Sequence, residues 1–249
     1  WNKEIKDNLK EDDSGILWSK TKFPFLWGTE VSLIYSDNGK RAVHLLIYSP
    51  NGEIAEQIKD SFSKKWRIDY DGRPIFGIPC PDFVEMMMDI SKDIEIVPAH
   101  SYTSWFGVFG SKSGFNSLKE CFKEKSKYIH AIESGMSADP NMIRLNSDLD
   151  KINIVSFSDA HSFWPWRLGR ENVIFDCNLT SKDILNAIKT GNGIKETIET
   201  VPDYGKYHYD GHRNCNVMLS PEESKKLNGI CPKCGKPLTI GVLYRTLEM

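Results

Sequence analysis

Short apolar runs alternate with helix-like segments along most of the chain, and this alternation is the feature that most limits the possible folds. Residues 29–36 and 42–48 predict two strands on either side of an Asp-Asn-Gly turn, which is a strong hairpin signal. The later predicted strands cover residues 94–97, 127–132 and 152–157, and the predicted helices cover residues 53–65, 80–89, 117–125 and 181–190. Because polar residues collect just after strands, we expect an α/β sheet or barrel with its site at the carboxyl ends of the strands.

The composition changes towards the end of the chain. Residues 204–249 contain three of the six cysteines and two of the six histidines. We therefore predict a large domain over residues 1–193, a linker over residues 194–203 and a small metal-binding module over residues 204–249.

Five residues of metal-binding type fall at or near the ends of predicted strands: Glu30, His44, His100, Asp159 and His161. Zinc and manganese both accept imidazole nitrogen and carboxylate oxygen. Any one of these histidines taken alone is more often a satisfied core residue than a ligand. The joint pattern favours a shared metal site, in which Asp159 and His161 form a D-x-H pair.

A second group, His212, Cys215, Cys231 and Cys234, has the spacing H-x-x-C followed by C-x-x-C. This spacing is close to that of a structural zinc ribbon or knuckle, in which four ligands form a closed tetrahedral site. A redox-active C-x-x-C would need a thioredoxin-like context, which the sequence lacks. His208 is the alternative to His212 as the histidine ligand.

Net charge and cysteine content bear on the partners and the cellular location of the protein. The net charge of −2 does not indicate a nucleic-acid binder, but it is weak evidence against one because enzymes that hold several metals must carry acids. The cysteines do not form a disulfide framework, so we expect a reducing, cytoplasmic location. No apolar run approaches the ~20 residues that span a bilayer, so we expect no membrane partner.

Several segments together resemble a known family. Those that look like successive motifs of the PHP metallohydrolases are Gly28-Thr29-Glu30-Val31-Ser32, Val43-His44-Leu45-Leu46, Pro98-Ala99-His100 and Ser158-Asp159-Ala160-His161. The resemblance to the endonuclease Q branch lies in residues 105–115 (WFGVFGSKSGF), 168–171 (LGRE), 210–215 (DGHRNC) and 231–238 (CPKCGKPL). The similarity runs from about residue 25 to the end, and the long aromatic–glycine motif is its most specific part.

The resemblance implies a distorted PHP-type β/α barrel with two or three divalent metals (zinc, manganese or magnesium) held by the five residues Glu30, His44, His100, Asp159 and His161. It also implies cleavage of DNA on the 5′ side of uracil, hypoxanthine or an abasic site, in DNA repair. Members of the family open with an H-x-H strand, whereas this sequence has no histidine before His44. We therefore expect an N-terminally incomplete barrel and an incomplete metal cluster, in a chain that is a fragment of a longer, monomeric protein.

A lesion-specific nuclease must also expose the damaged nucleotide, and this directs attention to the aromatic–glycine motif. Trp105, Phe106, Phe109 and Lys112 suit a loop that faces DNA, although the rings can equally pack in the core. Arg170 is a candidate phosphate clamp, with a surface ion pair as its alternative. Secondary candidates are Trp164 and Trp166 at the mouth of the site and Glu133 beside the metals, whereas His130 is expected to be structural.

Two alternatives to the lesion nuclease stay open at this point. A PHP phosphoesterase could act on a small phosphorylated metabolite or a DNA end, but such a substrate needs neither the aromatic–glycine loop nor a zinc module. A chain that has lost its first ligands could be a non-catalytic DNA-binding remnant. Other repair or replication proteins as partners are not specified by the sequence.

Overall fold

The computed structural model describes residue 5, residues 7–69 and residues 72–249 of the chain. We number the strands β1 Leu9–Glu11, β2 Leu17–Ser19, β3 Pro24–Phe25, β4 Trp27–Ser36, β5 Lys40–Ser49, β6 Ile75–Phe76, β7 Glu95–Pro98, β8 Ala131–Glu133, β9 Asn153–Val155, β10 Asn172–Phe175, β11 Ile194–Ile198, β12 Asp210–His212 and β13 Val217–Leu219. The helices are α1 Gly52–Ser63, α2 Cys80–Ile90, α3 Leu118–Phe122, α4 Pro140–Ile143, α5 Ser181–Thr190, α6 Pro221–Lys226 and α7 Val242–Glu248.

The predicted hairpin is confirmed and is the longest feature of the fold. β4 and β5 pair antiparallel from Trp27 opposite Ser49 to Ser36 opposite Lys40. Asn38 and Gly39 both have positive φ in the turn between them, as an Asn-Gly turn requires. β6 and β7 flank the hairpin and complete a four-stranded sheet in the order β6-β4-β5-β7.

One face of this sheet forms the main core. Val31, Leu33, Val43 and Leu45 are fully buried on it, and they pack in one cluster with the apolar face of α2. Side chains alternate between the two faces of a strand, so the intervening residues point to the opposite face. That second face carries the candidate site.

A smaller core lies where β7, β8 and β9 meet α5. Its buried members are Ile16, Val97, Ala131, Val155, Ile184, Leu185 and Ile188. β8 and β9 pair in parallel, and α5 covers exactly the predicted residues, between a Thr180 N-cap and the left-handed Gly191. The two cores together fix the ends of β7 and β8 next to the hairpin.

Three local predictions need correction. The strand predicted over residues 127–132 begins only at Ala131, because Lys123–Tyr128 forms a 3₁₀ helix closed by the bond from the Ile129 N–H to the Ser126 carbonyl. The strand predicted over residues 152–157 is limited to β9. Residues 194–198, predicted as linker, instead form β11, which pairs with β10 and packs Ile194 against the smaller core.

The α/β class is confirmed as a mixed helix and strand fold, whereas the PHP barrel stays a prediction. Among the residues that the structure describes, the hydrogen-bonded strands form separate sheets and not a continuous closed one. The C-terminal module packs directly on the large domain, since fully buried Val242 belongs to the main core. None of the described helices has the length and apolar character needed to cross a membrane.

We expect Gly135→Ala to destabilise the protein through a steric clash. A Cβ at this left-handed position would lie 2.7 Å from the Cβ of His100. Gly229 is the matched control, because its φ is nearly the same and nothing lies within 4 Å of its would-be Cβ. Gly229→Ala should lower the free energy of unfolding by about 1–2 kcal/mol through backbone strain. Gly135→Ala should lower it by about 2 kcal/mol more, and urea unfolding measures both. Equal losses would show that the approach of His100 imposes no constraint.

Candidate metal centre and its surroundings

The register of the hairpin brings Glu30 and His44 together on the face opposite the main core. Ser32 lies directly opposite His44, so Glu30 is the diagonal neighbour of His44 on the same face. Both residues lie inside long strands, and the prediction that they sit at strand ends is wrong for them. His100 follows β7 as predicted, because β7 pairs with β5 and ends beside His44.

Three potential ligand atoms converge at this place. His44 Nδ1 lies 3.0 Å from His100 Nε2 and 3.1 Å from Glu30 Oε1, and His100 Nε2 lies 3.6 Å from the same oxygen. Ligands bound to one cation at about 2.0–2.2 Å lie about 3–3.5 Å apart, so the triangle has the size of a metal site. Glu30 Oε1 is buried and makes no hydrogen bond of good geometry within the described part of the chain. The three residues therefore fit a divalent cation.

The charge states of Glu30 and His44 suit a cation as well. Burial opposes ionisation of Glu30, but the imidazoles of His100 and His44 outweigh it and hold the pKa of the carboxyl well below its usual range. Burial also lowers the pKa of His44 to about 4, even though Glu30 opposes that shift. A neutral His44 and an ionised Glu30 at neutral pH are the protonation states in which both side chains bind metal.

Arg73 is a member of the site that the sequence did not predict. Its Nε lies 2.9 Å from Glu30 Oε2, the oxygen that does not face the histidines. Arg73 therefore neutralises one half of the carboxylate while the other half stays directed at the histidine pair. An isolated arginine in the loop between α1 and β6 carries no sequence signal for such a role.

Glu133 holds the turn that carries His100. Its Oε2 accepts a 2.7 Å hydrogen bond from the His100 N–H, and its carbonyl accepts one from the Ser101 N–H. His100 has a positive φ of 34°, a conformation that needs such support in a non-glycine residue. Burial raises the pKa of Glu133 to about 7, although the charge of His100 opposes it. Glu133 was only a secondary candidate from the sequence, and the structure makes it a direct support of the centre.

The aromatic–glycine motif contacts the centre through Phe106. The ring of Phe106 stacks on His44 with centroids 4.3 Å apart, and its carbonyl accepts a bond from the His44 N–H. Trp105 is about half exposed, whereas Phe109 is fully buried in the core. The motif thus divides between one ring on a candidate ligand, one ring towards solvent and one ring in the interior.

The C-terminal module is hydrogen-bonded to the same motif and to the residue before it. The hydroxyls of Ser104 and Ser111 both donate to the Ile240 carbonyl at 2.7 Å. Arg245 donates to the carbonyl of Phe109. The ammonium nitrogen of Lys112 lies 3.5 Å from the carbonyl oxygen of Leu238. Lys112, a candidate DNA contact, is exposed although its ammonium contacts the module.

Asp159 and His161 lie in a neighbouring loop and are not part of the three-residue group. His161 is exposed and its Nδ1 lies 2.9 Å from the carbonyl of Asp159. Asp159 is close enough to influence electrostatically both His100 and Glu133. The structure therefore brings Glu30, His44 and His100 together and leaves the D-x-H pair beside them.

Arg170 shapes this loop. Its Nε donates to the Ser158 carbonyl at 2.8 Å and its Nη2 to the Asp159 carbonyl at 3.3 Å. Asp159 has a positive φ of 42°, so the guanidinium supports a turn that is unfavourable on its own. The neighbouring Glu171 is buried and binds the backbone N–H and the hydroxyl of Thr200.

The second predicted ligand group is assembled in the C-terminal module. One ligand atom from each of His212, Cys215, Cys231 and Cys234 lies within 4.8 Å of the others, and His212 Nδ1 is 3.4 Å from Cys234 Sγ. Three thiols and an imidazole are a typical donor set for tetrahedral zinc. The alternative, His208, is buried elsewhere, with Nδ1 3.0 Å from the Ser137 carbonyl. His130 pairs with buried Glu95, which agrees with a structural role.

Comparisons with curated proteins give two distant relatives. No protein-family model matches the chain. The uncharacterized protein MJ0043 of Methanocaldococcus jannaschii is 34% identical over 154 residues, which cover 59% of this chain and 19% of that protein. The uncharacterized protein YqxK of Bacillus subtilis is 26% identical over 249 residues, or 96% of this chain and 59% of that protein. The chain thus spans less than two thirds of either relative.

Two solved structures match the whole of this chain and part of their own chains. The lesion-specific endonuclease PfuEndoQ from Pyrococcus furiosus superposes on 100% of this chain with a TM-score of 0.82 and 29% identity, over 60% of its own length. A complex of endonuclease Q with a 27-mer duplex substrate that has an abasic lesion at the active site matches with a TM-score of 0.83 and 28% identity, again over 60% of that chain. The resemblance to the endonuclease Q family is thereby confirmed.

We expect Arg170→Ala to loosen the loop that carries Asp159. Losing the hydrogen bonds of a charged group should lower the free energy of unfolding by about 1.5–3 kcal/mol, measured by urea unfolding. It should also speed amide exchange across residues 158–161, measured by hydrogen exchange with mass spectrometry. Arg167→Ala is the matched control, because the Arg167 side chain is exposed and surface changes usually stay within about 0.5 kcal/mol. Indistinguishable variants would show that Arg170 does not support the turn.

Proposed function

We propose that this chain, a structural relative of endonuclease Q, forms the metal-binding core of an endonuclease that cleaves DNA beside damaged nucleotides. The observation that carries the proposal is the convergence of Glu30, His44 and His100 in a chain whose whole length superposes on 60% of endonuclease Q. The relative solved with DNA holds an abasic lesion at its active site. We extend that substrate class to this chain, together with uracil and hypoxanthine as further lesions and cleavage on the 5′ side.

The residues of the centre suit phosphodiester hydrolysis without a nucleophilic side chain. Divalent metals bound at such a centre would supply an activated water and would neutralise the charge of the phosphate. Glu30, His44 and His100 would hold one cation, and we propose that Asp159 and His161 in the neighbouring loop contribute to a further one, as the resemblance to the PHP-type barrel implies. Arg73 and Glu133 act through these residues, since the first binds the outer oxygen of Glu30 and the second fixes the backbone of His100.

The surroundings of the centre suit a DNA strand. Trp105 is exposed next to Phe106, which itself stacks on His44. Lys112 is exposed on the same motif. We propose that Trp105 and Phe106 contact the damaged nucleotide and that Lys112 contacts the backbone. Arg170 would reach a phosphate only by giving up its bonds to the loop, so a positioning role suits it better than the predicted clamp.

We expect cleavage to depend on His44 and on bound metal. In the full-length protein, His44→Ala should lower the rate of cutting of an abasic-site duplex by about 100-fold or more. Chelation of the metal should abolish cutting by the wild type, and addition of Mn²⁺ or Zn²⁺ should restore it. His130→Gln is the matched control, because His130 pairs with Glu95 and is not one of the three grouped ligands, and glutamine keeps a hydrogen-bond donor. Uracil and hypoxanthine duplexes, read on a sequencing gel, test the lesion range and the 5′ position of the cut.

Several outcomes would contradict the proposal. Full activity after chelation would rule out metal-dependent cutting, and full activity of His44→Ala would place the reaction elsewhere. Hydrolysis of small phosphate esters without any cutting of lesion DNA would favour a phosphoesterase. Lesion binding with no hydrolysis by the full-length, metal-loaded protein would favour a non-catalytic DNA-binding role.

We also propose that the C-terminal group holds structural zinc in a protein of the cytoplasm. Cys231→Ser should remove the zinc that metal analysis finds in the purified protein and should destabilise the module, because zinc ligation supplies much of the folding energy of such small units. Cys177→Ser is the matched control, since Cys177 is exposed and outside the ligand group. Equal zinc content in both variants would contradict the assignment.

A further inference from the structure

Residues 160–168, which we call the aromatic arm, expose an unusual amount of apolar surface. Phe163 is 95% exposed, Trp164 59%, Trp166 66% and Leu168 55%. None of these four side chains belongs to either of the two hydrophobic clusters of the described chain. Exposure of several large apolar side chains together usually marks a contact surface.

Two of these rings are already arranged in parallel. The indoles of Trp164 and Trp166 lie 5.0 Å apart with an angle of 11° between their planes. A tight turn holds this arrangement, because the Arg167 N–H donates to the Trp164 carbonyl at 2.8 Å. The pair therefore presents flat aromatic faces to solvent from a hydrogen-bonded turn.

The base of the arm is anchored to the turn beside the metal centre. The Gly169 N–H donates to the Ser158 hydroxyl at 2.7 Å, and that hydroxyl donates in turn to the Glu171 carbonyl at 3.0 Å. Arg170 binds the carbonyls of Ser158 and Asp159 from the same side. The arm thus begins and ends at the turn that carries Asp159, and anything bound to it would lie close to that part of the site.

We propose that the Trp164–Trp166 pair is a stacking platform for an unpaired nucleobase of the DNA strand that occupies the site. Nucleobases are flat and stack on aromatic side chains with little dependence on sequence. Arg167, the exposed residue between the rings and Arg170, forms no ion pair with any residue that the structure describes and supplies a positive charge for the adjacent phosphate. This inference rests on the proposed DNA substrate.

The dimensions of the arm favour a base over a protein partner. Aromatic side chains bury about 150–250 Å² each, so the exposed parts of the three rings offer at most about 550 Å². Leu168, a smaller side chain that is 55% exposed, adds less than any of the rings. A stable protein interface takes about 800 Å² from each partner. One or two stacked bases need far less area, and they match the parallel geometry of the indoles.

The test compares the full-length, metal-loaded protein with Trp164→Ala/Trp166→Ala and with the conservative Trp164→Phe/Trp166→Phe. Fluorescence anisotropy would measure binding to a labelled single strand, to a duplex with one abasic site and a non-hydrolysable linkage on its 5′ side, and to the undamaged duplex. We expect the alanine variant to bind the single strand and the abasic duplex about tenfold more weakly and the undamaged duplex almost unchanged. The phenylalanine variant should keep most of the affinity.

The outcomes separate this inference from the proposed function. A wild-type protein that binds no DNA would overturn both, whereas wild-type cutting with equal affinities in all variants would overturn only the stacking platform. An equal loss on all three DNAs, or a dimer that becomes a monomer in light scattering, would also overturn it. If the alanine variant does not fold, the wild type and the phenylalanine variant are compared instead. The single strand should quench more tryptophan fluorescence in the wild type than in the phenylalanine variant. Equal quenching in the two proteins would count against the platform.

Discussion

The antiparallel register of β4 and β5 is the constraint on which the rest of the site depends. Placing Ser32 opposite His44 directs Val31 and Val43 into the core and leaves Glu30 and His44 together on the other face. A slip of one residue would exchange the two faces, which would bury a carboxylate and expose valines. The packing of the main core therefore enforces the geometry of the candidate metal centre.

His44 also organises its neighbours through its main chain. Its carbonyl accepts the bond from Ala99 that precedes His100, and its N–H binds the Phe106 carbonyl. One residue thus aligns the end of β7 and the aromatic–glycine motif with the hairpin. The side chain of Glu30 then needs only its own strand to reach the histidines.

Sequence reasoning succeeded where the signal was local or chemical. The Asn-Gly turn defined the hairpin, and the C-x-x-C and H-x-x-C spacings defined a ligand group that the fold does assemble. It failed for Arg73, whose role depends on a contact between segments far apart in the chain. It also failed for β11, because the strand is half polar and its pairing with β10 cannot be read from its own residues. The D-x-H pair was recognised by its residue types, but the loop conformation that sets it beside the centre depends on Arg170.

The joint between the C-terminal module and the aromatic–glycine motif has a consequence for how the family can diverge. Most of its acceptors are main-chain carbonyls, those of Ile240, Leu238 and Phe109 among them, and its donors include the side chains of Ser104, Ser111, Lys112 and Arg245. Any residue at an acceptor position offers the same oxygen, so most of this boundary can drift in sequence while its geometry persists. A few donor side chains are then enough to keep the module in contact with the loop, whichever residues stand at the acceptor positions.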